Sequence, residues 1–324
     1  MNAALTDLDA ADRDRLVKTP PPTHAAPMKA VLTDRRFSDP SWIFERKLDG
    51  IRCVAIRDGS SVRLLSRNDL PLNDRYPEIA EALAGNRCKR FAVDGEVVAF
   101  DGAQTSFSLL AQRKQRDVPV FLYVFDVLWI DGFDVRRVPL RSRKRLLRDC
   151  IGFEDPIRLT PYRNEIGEEL YGEACRRGWE GLIAKRAAST YTERRSRDWL
   201  KFKCDQGQEF VVGGYTDPQG TRTGFGALLL GYYDGKELLY AGRVGTGFDD
   251  ATLASLGRRL EHLATPDSPF ADPRSVDVKG AHWVEPELVA QIGFTEWTRH
   301  ARLRHPRFLG LRDDKSPSEV VRER

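Results

Sequence analysis

Short apolar runs alternate with turn residues along the first two thirds of the chain. Two such runs, 52–57 and 61–66, flank Asp58-Gly59, which predicts a β-hairpin. Residues 77–83 begin with a proline and are followed by Gly85, which predicts a helix. The same reasoning predicts strands at 91–100, 120–128, 182–185 and 199–203, and helices at 140–150 and 168–177. This mixture favours an α+β domain built on antiparallel sheets.

The pattern changes near residue 206. Short strands separated by Gly and Asp are predicted at 210–215, 227–232, 238–244 and 293–298, with one helix at 251–262. This arrangement is typical of a small β-barrel such as the oligonucleotide-binding (OB) fold. We therefore expect a polar lead-in over 1–26, a first domain over 27–206 and a second over 207–324.

Composition narrows the class of protein. Hydrophobic residues make up 41 % and charged residues 31 % of the 324 positions, which is typical of a globular protein. No apolar run reaches the ~20 residues of a membrane span, so we expect no membrane partner. Asp7, Asp9, Asp12 and Asp14 argue against a secretory signal.

The cysteine pattern and the charge add two expectations. Five cysteines are scattered without CxxC spacing, which argues against a disulfide framework or a structural zinc site and predicts a reducing, cytoplasmic location. The formal net charge is +4, with local arginine clusters such as 141–148 and 299–307. Such clusters fit a polyanionic partner, although each is equally explained as a solvated helix face.

Lys47 is the first candidate for chemistry. It follows an apolar run and precedes Asp49-Gly50, a turn signal, and then Arg52. A turn here would bring the two cations together, and their repulsion would lower the pKa of Lys47 and free its amine as a nucleophile. A surface hairpin with two solvated cations would explain the same residues.

Acidic residues form two further candidates. Asp94 and Glu96 flank Gly95 within a valine-rich run, where we expect a sharp turn and a contact with a metal or a ribose. A polar hairpin tip is the alternative. Glu180 opens an apolar strand that Lys185 ends, which suits a metal ligand beside a phosphate ligand.

Lys201 and Lys203 alternate with Leu200 and Phe202, so each pair should share one face of a strand. Neighbouring lysines repel unless an anion lies between them, and phosphate is the obvious anion. An exposed strand face would explain the same spacing. Together the candidates supply an amine nucleophile, acids for Mg²⁺ and cations for phosphate, which is the chemistry of covalent nucleotidyl transfer.

The segment Lys47-Leu48-Asp49-Gly50-Ile51-Arg52 resembles motif I of the covalent nucleotidyltransferases, and the order of the later motifs resembles ATP-dependent DNA ligases. The later segments are 66–68 (motif Ia), 94–96 (III), 123–126 (IIIa), 180–185 (IV), 199–203 (V) and 312–315 (VI). Residues 224–231, 242–248, 296–298 and 303–306 are similar to the ligase domain of bacterial end-joining ligases. The resemblance covers roughly residues 27–324.

The resemblance implies a nucleotidyltransferase (adenylation) domain of antiparallel sheets and helices followed by an OB-fold domain, with ATP as donor and Mg²⁺ or Mn²⁺ as cofactor. Lys47 would carry AMP covalently. The resemblance also implies that Glu45 and Phe125 contact adenine, that Glu96 contacts ribose, and that Glu180 and Glu96 bind the metal. Lys185, Lys201 and Lys203 would contact the α-phosphate. Arg52 and Arg67 would contact the sugar and 5′-phosphate of the nick, and Arg312, Asp314 and Lys315 would contact pyrophosphate. Glu193 departs from the family, where glycine is expected, so the geometry of its loop is open.

The implied function is an ATP-dependent DNA ligase that seals 5′-phosphate/3′-hydroxyl nicks in DNA repair or end joining. Its expected partners are nicked or broken duplex DNA and a Ku-like end-binding protein, and the expected state is a monomer. An RNA ligase or an mRNA-capping guanylyltransferase shares motif I, and the segments 242–248 and 303–306 argue against both. A non-catalytic DNA-binding module would share the fold, and the complete set of motif lysines and acids argues against it.

Overall fold

The computed structural model describes residues 3–113, 117–204, 206–218, 220, 223–276, 278 and 280–323. The chain divides into two compact units, residues 1–204 and residues 205–324. No helix among the described residues is both long and apolar enough to cross a membrane.

The first unit combines helices with two larger sheets. Its helices are α1 (Ala3–Thr6), α2 (Ala10–Arg13), α3 (Pro77–Ala84), α4 (Phe107–Gln112), α5 (Leu140–Cys150) and α6 (Gly167–Arg176). Its strands are β1 (Val17–Lys18), β2 (Lys29–Leu32), β3 (Trp42–Arg46), β4 (Ile51–Asp58), β5 (Ser61–Ser66), β6 (Arg90–Val98), β7 (Phe100–Asp101), β8 (Gln104–Thr105), β9 (Phe121–Ile130), β10 (Phe133–Asp134), β11 (Ile157–Leu159), β12 (Tyr162–Asn164), β13 (Gly181–Arg186) and β14 (Arg195–Lys203).

The larger sheet of the first unit has the strand order β1-β10-β9-β6-β4-β5, with β11 added beside β9. One face of this sheet packs against α3 and α5 around a core that includes Ile79, Leu146 and Val124. The other face carries a smaller cluster with Val54, Phe125 and other apolar side chains. Alternation along the strands thus separates a closed core from a second face.

The smaller sheet has the order β12-β3-β13-β14-β2. Phe44, Leu182 and Phe202 point to one side, where they pack against Leu170 and Ala174 of α6. The opposite side therefore carries the alternate residues of these strands. Because Trp199 of β14 belongs to the same cluster as Phe125 of β9, the second faces of the two sheets meet.

The N-terminal residues are part of the first unit rather than a separate lead-in. Leu5 and Leu8 are buried in the core beside α5. The indole N–H of Trp129 donates to the Thr19 carbonyl at 3.1 Å, and the Arg63 guanidinium donates to the Pro22 and Thr23 carbonyls. These contacts hold the proline-rich segment against the larger sheet.

The second unit is built on one main sheet and one α-helix within the part of the chain that is described. Its elements are β15 (Gln206–Thr216), β16 (Leu228–Asp234), β17 (Glu237–Val244), α7 (Asp250–His262), β18 (Ala264–Thr265), β19 (Ala281–Phe294), β20 (Glu296–Trp297), β21 (Leu303–Arg304) and β22 (Arg307–Leu311), with 3-10 turns at Pro273–Ser275 and Pro317–Glu319. The sheet order is β17-β16-β15-β19-β18, with β22 beside β19. Leu253, Leu256 and Leu260 bury the apolar face of α7 in its core.

Most predicted elements are confirmed, and two differ for physical reasons. Asp94 to Glu96 form no turn, because they lie inside strand β6, where both neighbouring strands cover them. Strand β19 (Ala281–Phe294) begins well before the predicted 293–298, because a register shift accommodates Pro286, a residue that central strands otherwise exclude. The register of β19 against β15 jumps from Leu288 to Trp283, so Pro286 falls where no ladder N–H is needed.

The cysteine expectation is also corrected. Cys175 and Cys204 form a disulfide, although they are 29 residues apart and lack CxxC spacing. The fold brings the end of α6 to the end of β14, which the sequence spacing did not reveal. Cys53, Cys88 and Cys150 are buried free thiols.

A fully buried ion pair joins α5 to the larger sheet. The Arg143 guanidinium donates to both carboxylate oxygens of Asp126, at 2.8 and 2.9 Å, and neither side chain is exposed. Burial alone would raise the pKa of Asp126, but the Arg143 charge outweighs burial and lowers it.

We predict that Arg143→Met lowers the free energy of unfolding of the first unit by about 3–5 kcal/mol, because Asp126 loses its nearest counter-charge. Urea unfolding followed by circular dichroism measures the change. Arg148→Met, on the exposed side of the same helix, is the matched control and should stay within about 0.5 kcal/mol of the parent. An Arg143→Met protein as stable as this control would contradict the assignment.

Candidate functional site

The motif I loop carries the chain from one sheet to the other. Lys47 directly follows β3 of the smaller sheet, and Ile51 opens β4 of the larger one. The Lys47 N–H donates to the Gly181 carbonyl at 2.9 Å, which extends the pairing of β3 with β13. Lys47 to Gly50 therefore form a crossing between sheets and not a surface hairpin.

Asp49 and Gly50 of this loop have structural roles. The Asp49 carboxylate accepts the Phe107 N–H at 3.1 Å, and the Asp49 N–H donates to the Thr105 hydroxyl at 3.1 Å, so the loop is tied to the start of α4. A Cβ at Gly50 would lie 2.2 Å from the Val97 carbonyl oxygen, which excludes any side chain there. Asp49 thus anchors the loop through its hydrogen bonds, and glycine is required at position 50 by the close packing.

The Lys47 ammonium forms an ion pair with Glu180, the residue just before β13. Gly181 holds this corner: its φ is +143°, and a Cβ would lie 1.8 Å from the Phe202 carbonyl oxygen. Burial favours a neutral amine, but the charge of Glu180, with smaller contributions from Asp49 and Glu96, raises the pKa of Lys47.

The prediction that Arg52 lowers the pKa of Lys47 is therefore wrong. Arg52 is engaged elsewhere, because its guanidinium donates to both oxygens of Asp94, each at 2.6 Å, and to the Met28 carbonyl at 3.1 Å. The Tyr191 hydroxyl donates to the same Asp94 at 2.7 Å. Asp94 is fully buried and orients Arg52, so the structure gives it no metal contact.

The registers of the smaller sheet arrange the site residues in rows on its second face. Lys203 lies opposite Gly181, and the Gly181 carbonyl accepts the Lys47 N–H. Two residues along the strands, Glu45, Ile183 and Lys201 form the next row. Two residues further, Lys185 lies beside Ile43 and Trp199. As predicted, Lys201 and Lys203 share this face, while Leu200 and Phe202 pack towards α6.

Glu45 is buried between two lysines. Its Oε2 lies 2.7 Å from the Lys185 ammonium, and its Oε1 pairs with the Lys144 ammonium from α5. Only 2 % of Glu45, 1 % of Lys185 and 3 % of Lys144 is exposed to solvent. The three groups thus form a desolvated charge cluster that holds the β3 carboxylate in place.

Two aromatic rings flank Lys185. Its ammonium lies 4.2 Å from the centre of the Phe125 ring and 4.0 Å from that of Trp199. Burial lowers the pKa of Lys185 to about 8, with Glu45 opposing the shift and Lys144 adding to it. Lys185 lies two rows from Lys47 and pairs with Glu45, which argues against the expected contact with the α-phosphate.

A β-bulge aims Phe125 at this face. The pairing of β6 with β9 steps from Asp94–Asp126 to Gly95–Val124, so Phe125 is the extra residue of β9. Its ring also stacks near the Arg52 guanidinium, at 4.7 Å. Phe125 is buried, so it is both a core residue and a wall of the site.

Glu96 and Arg67 lie on the larger sheet. Glu96 is paired in register with Arg52 and faces Lys47 closely enough to raise the pKa of that lysine. Arg67 follows Ser66, the last residue of β5, which pairs with Cys53. The Nε of Arg67 is buried without a hydrogen-bond partner in the described structure.

The described residues contain no group of three His, Cys, Asp or Glu side chains that could hold a metal ion. Glu180 and Glu96 both act on Lys47 but form no closed cage. Mg²⁺ is commonly held by one or two carboxylates together with substrate phosphates. The carboxylates therefore fit a metal that arrives with a nucleotide. Glu180, which pairs with Lys47, is the candidate metal ligand nearest to that lysine.

The loop with Glu193 is well anchored. The Glu193 carboxylate accepts a hydrogen bond from Arg136, whose guanidinium also donates to both carboxylate oxygens of Asp134. The Tyr191 N–H donates to the Arg136 carbonyl at 2.8 Å. The residue that departs from the family pattern is thus accommodated by an exposed ion pair.

The last predicted residues belong to the second unit. The Arg312 guanidinium donates to both oxygens of Asp314 at 2.9 and 2.8 Å, and the Lys315 ammonium lies 3.0 Å from Glu209. Burial would raise the pKa of Asp314, and the Arg312 charge lowers it instead. These residues form their own ion-pair cluster beside β15.

Sequence reasoning missed Lys144 and Tyr191. A signal for the first was present, because Leu140, Arg143, Lys144 and Leu147 fall on one face of α5 by helical spacing. Two cations on an apolar face indicate buried partners. Tyr191 gave no comparable signal, since its partners Met28 and Asp94 are distant in sequence.

Sequence comparison identifies relatives of both units. The model of the ATP dependent DNA ligase domain matches residues 22–203, and that of the ATP dependent DNA ligase C terminal region matches residues 221–315. The multifunctional non-homologous end joining protein LigD of Pseudomonas aeruginosa is 39 % identical over 316 residues, covering 95 % of this chain and 38 % of that protein. LigD of Mycobacterium tuberculosis is 40 % identical over 289 residues, covering 87 % of this chain and 37 % of that protein.

Two further comparisons agree. The DNA ligase of Natronomonas pharaonis is 34 % identical over 305 residues, covering 85 % of this chain and 52 % of that protein. The solved structure of mycobacterial DNA ligase D complexed with ATP and MES has a TM-score of 0.68 at 36 % identity, covering 92 % of this chain and 98 % of that one. This chain spans well under half the length of the two LigD proteins.

These matches confirm the α+β fold, with a nucleotidyltransferase unit followed by an OB-fold unit, and they confirm the class of enzyme. The first family match alone covers more than half of the chain. The chain therefore belongs to the family of ATP-dependent DNA ligases.

Proposed function

We propose that this chain seals 5′-phosphate/3′-hydroxyl nicks in duplex DNA through an AMP covalently attached to Lys47. The observation that supports this most is the position of Lys47. It lies at the crossing between two sheets, is paired with Glu180 and shares a row with Lys203. A fixed amine beside phosphate-binding cations is what covalent nucleotidyl transfer needs.

The reaction has three steps. The Lys47 amine loses a proton and attacks the α-phosphorus of ATP, so that a P–N bond forms and pyrophosphate leaves. The AMP then passes to the 5′-phosphate of the nick, which frees the amine. Finally the 3′-hydroxyl attacks that phosphate, a phosphodiester bond forms and AMP leaves. Positioning and electrostatic stabilisation supply most of the rate in such transfers.

We assign the remaining roles from the geometry and the resemblance together. Lys201 and Lys203 bind the α-phosphate, because Lys203 shares the row of Lys47 and Lys201 lies in the next row on the same face. Glu45 and Phe125 contact adenine, and Glu96 contacts ribose. Glu180, with Glu96, would hold Mg²⁺ or Mn²⁺, which when bound neutralises charge on the phosphates.

Arg52 and Arg67 are assigned to the DNA side of the site. Arg67 suits a phosphate, because its buried Nε has no hydrogen-bond partner in the described structure. Arg52 is held by Asp94, which fixes the direction of its guanidinium. In the second unit, Arg312, Asp314 and Lys315 are assigned to pyrophosphate in the first step.

The cellular role is proposed from similarity alone. The LigD relatives are named as end-joining proteins, and we propose that this chain acts in end joining as a cytoplasmic monomer alongside a Ku-like end-binding protein. Comparing the joining of cohesive ends with the sealing of nicks, with and without such a protein, tests this extension.

We predict that Lys47→Arg abolishes covalent labelling by ATP, because guanidinium stays protonated and cannot attack phosphorus. Intact-protein mass spectrometry after exposure to ATP and magnesium measures the gain of one AMP, and peptide mapping locates it. The parent should gain AMP from ATP much faster than it gains GMP from GTP, which separates a ligase from a capping guanylyltransferase. Nick sealing by Lys47→Arg would refute the covalent mechanism and favour a different enzyme.

We predict opposite effects of Glu180→Gln on two measurements. Lys47 should react faster with an amine-reactive anhydride near neutral pH, because its pKa falls when the neighbouring charge is lost. Self-adenylation should nevertheless fall by roughly 100-fold, because the metal ligand is lost. Glu173→Gln, which removes a partly exposed carboxylate that pairs with Arg177, is the matched control. Parallel changes in both measurements would show that Glu180 acts only through the lysine.

We predict that Arg67→Ala weakens binding to nicked duplex and leaves labelling by ATP within about threefold of the parent. Loss of one phosphate contact should reduce the slope of log affinity against log salt by about 1. Filter binding across a salt series measures the slope, with Arg148→Met as the exposed control. An unchanged slope would remove Arg67 from the DNA contacts.

A further inference from the structure

Lys144 has no counterpart in the motif assignments, yet it forms a buried cluster with Glu45 and Lys185. Three charged side chains are taken out of water together, and each lysine faces a different oxygen of the same carboxylate. Burial of ionic groups is costly unless they are paired, and a purely structural contact would be served as well by apolar side chains. The arrangement therefore indicates that the carboxylate of Glu45 has a role beyond stabilising the fold.

The strand registers place the cluster away from the reacting phosphorus. Lys47 and Lys203 mark one row, and Glu45 lies two residues further along, about 6.6 Å by strand geometry. Lys185 lies a further two residues along the strands, in the row after that of Glu45, where it is opposite Trp199. On the proposed function, a nucleotide joined to Lys47 would extend its base towards Glu45.

A carboxylate reads a purine by its hydrogen-bond pattern. An ionised Glu accepts hydrogen bonds and donates none. The 6-amino group of adenine donates, whereas the 6-oxo group of guanine accepts and would meet the carboxylate as a second acceptor. Each carboxylate oxygen has two lone pairs, so an oxygen in contact with a lysine can still accept a hydrogen bond from the base.

We propose that Lys144 and Lys185 are positioning residues for base recognition, because they hold the Glu45 carboxylate in one orientation so that the site selects ATP over GTP. This inference rests on the proposed function and moves Lys185 from the phosphate end to the base end of the nucleotide.

The surroundings support this reassignment. Lys185 is held between the Phe125 and Trp199 rings, which restrict its ammonium to the neighbourhood of Glu45. Lys144 is fixed by its place on α5 and lies 5.4 Å from the ring centre of Tyr162, the register partner of Glu45.

The test compares ATP with GTP as donors of the covalent nucleotide. For Lys144→Met we expect the ratio of kcat/KM for ATP to that for GTP to fall at least about tenfold, through a higher KM for ATP. Lys144→Arg keeps the charge and should return the ratio to within about threefold of the parent. Arg148→Met, one turn along the exposed side of α5, should leave the ratio unchanged.

A second pair of variants guards against a folding defect. Glu45→Gln removes the carboxylate and should lower the ratio by itself. Adding Lys144→Met to Glu45→Gln should then cause no further change, because the lysine acts through Glu45. Circular dichroism melts accompany every variant, and the comparison within the Glu45→Gln background remains valid if Lys144→Met alone is unstable.

The outcomes separate the two proposals. An unchanged ATP to GTP ratio in Lys144→Met overturns the inference while the proposed function stands. An equal further loss of the ratio when Lys144→Met is added to Glu45→Gln also overturns it, since the lysine would then act independently. A parent protein that never gains AMP on Lys47 overturns the proposed function itself.

Discussion

The crossing of the chain from β3 to β4 is the constraint on which the site depends. Because Lys47 to Gly50 leave one sheet and enter the other, the second faces of both sheets are brought together around one lysine. Glu180 on one side and Glu96 on the other act on its charge. Gly50 and Gly181 permit the crossing, since neither position has space for a Cβ.

Several buried charges of the first unit lie against opposite charges. Arg52 is matched by Asp94, Arg143 by Asp126, and Lys185 and Lys144 share Glu45. Each pairing offsets a desolvation cost of several kcal/mol per ion. The pairs also fix directions, because a bidentate arginine contact allows few orientations. The site is thus rigid at its base and positively charged where a polyphosphate would lie.

The errors of sequence reasoning share one cause. Asp94 and Glu96 looked like a turn because two acids in a valine run are unusual for a strand, yet the acids lie within β6 and point into the site. Lys47 was assigned a lowered pKa because Arg52 is near in sequence, whereas Glu180 is near in space. Charged residues inside an element are explained by their partners, and those partners come from distant segments.

The sequence by itself determined the local elements and the family. The periodicity of α5, the Pro77 and Gly85 boundaries of α3, and the alternation of Lys201 with Phe202 follow from backbone geometry and side-chain packing, which act over a few residues. Its ordered motifs indicated membership of the ATP-dependent DNA ligases. Only the tertiary structure decided the pairings: Lys144 with Glu45, Tyr191 with Asp94, the bulge that turns Phe125, and the join of Cys175 to Cys204. These contacts depend on which strands become neighbours, and neighbourhood in space is set by the whole fold.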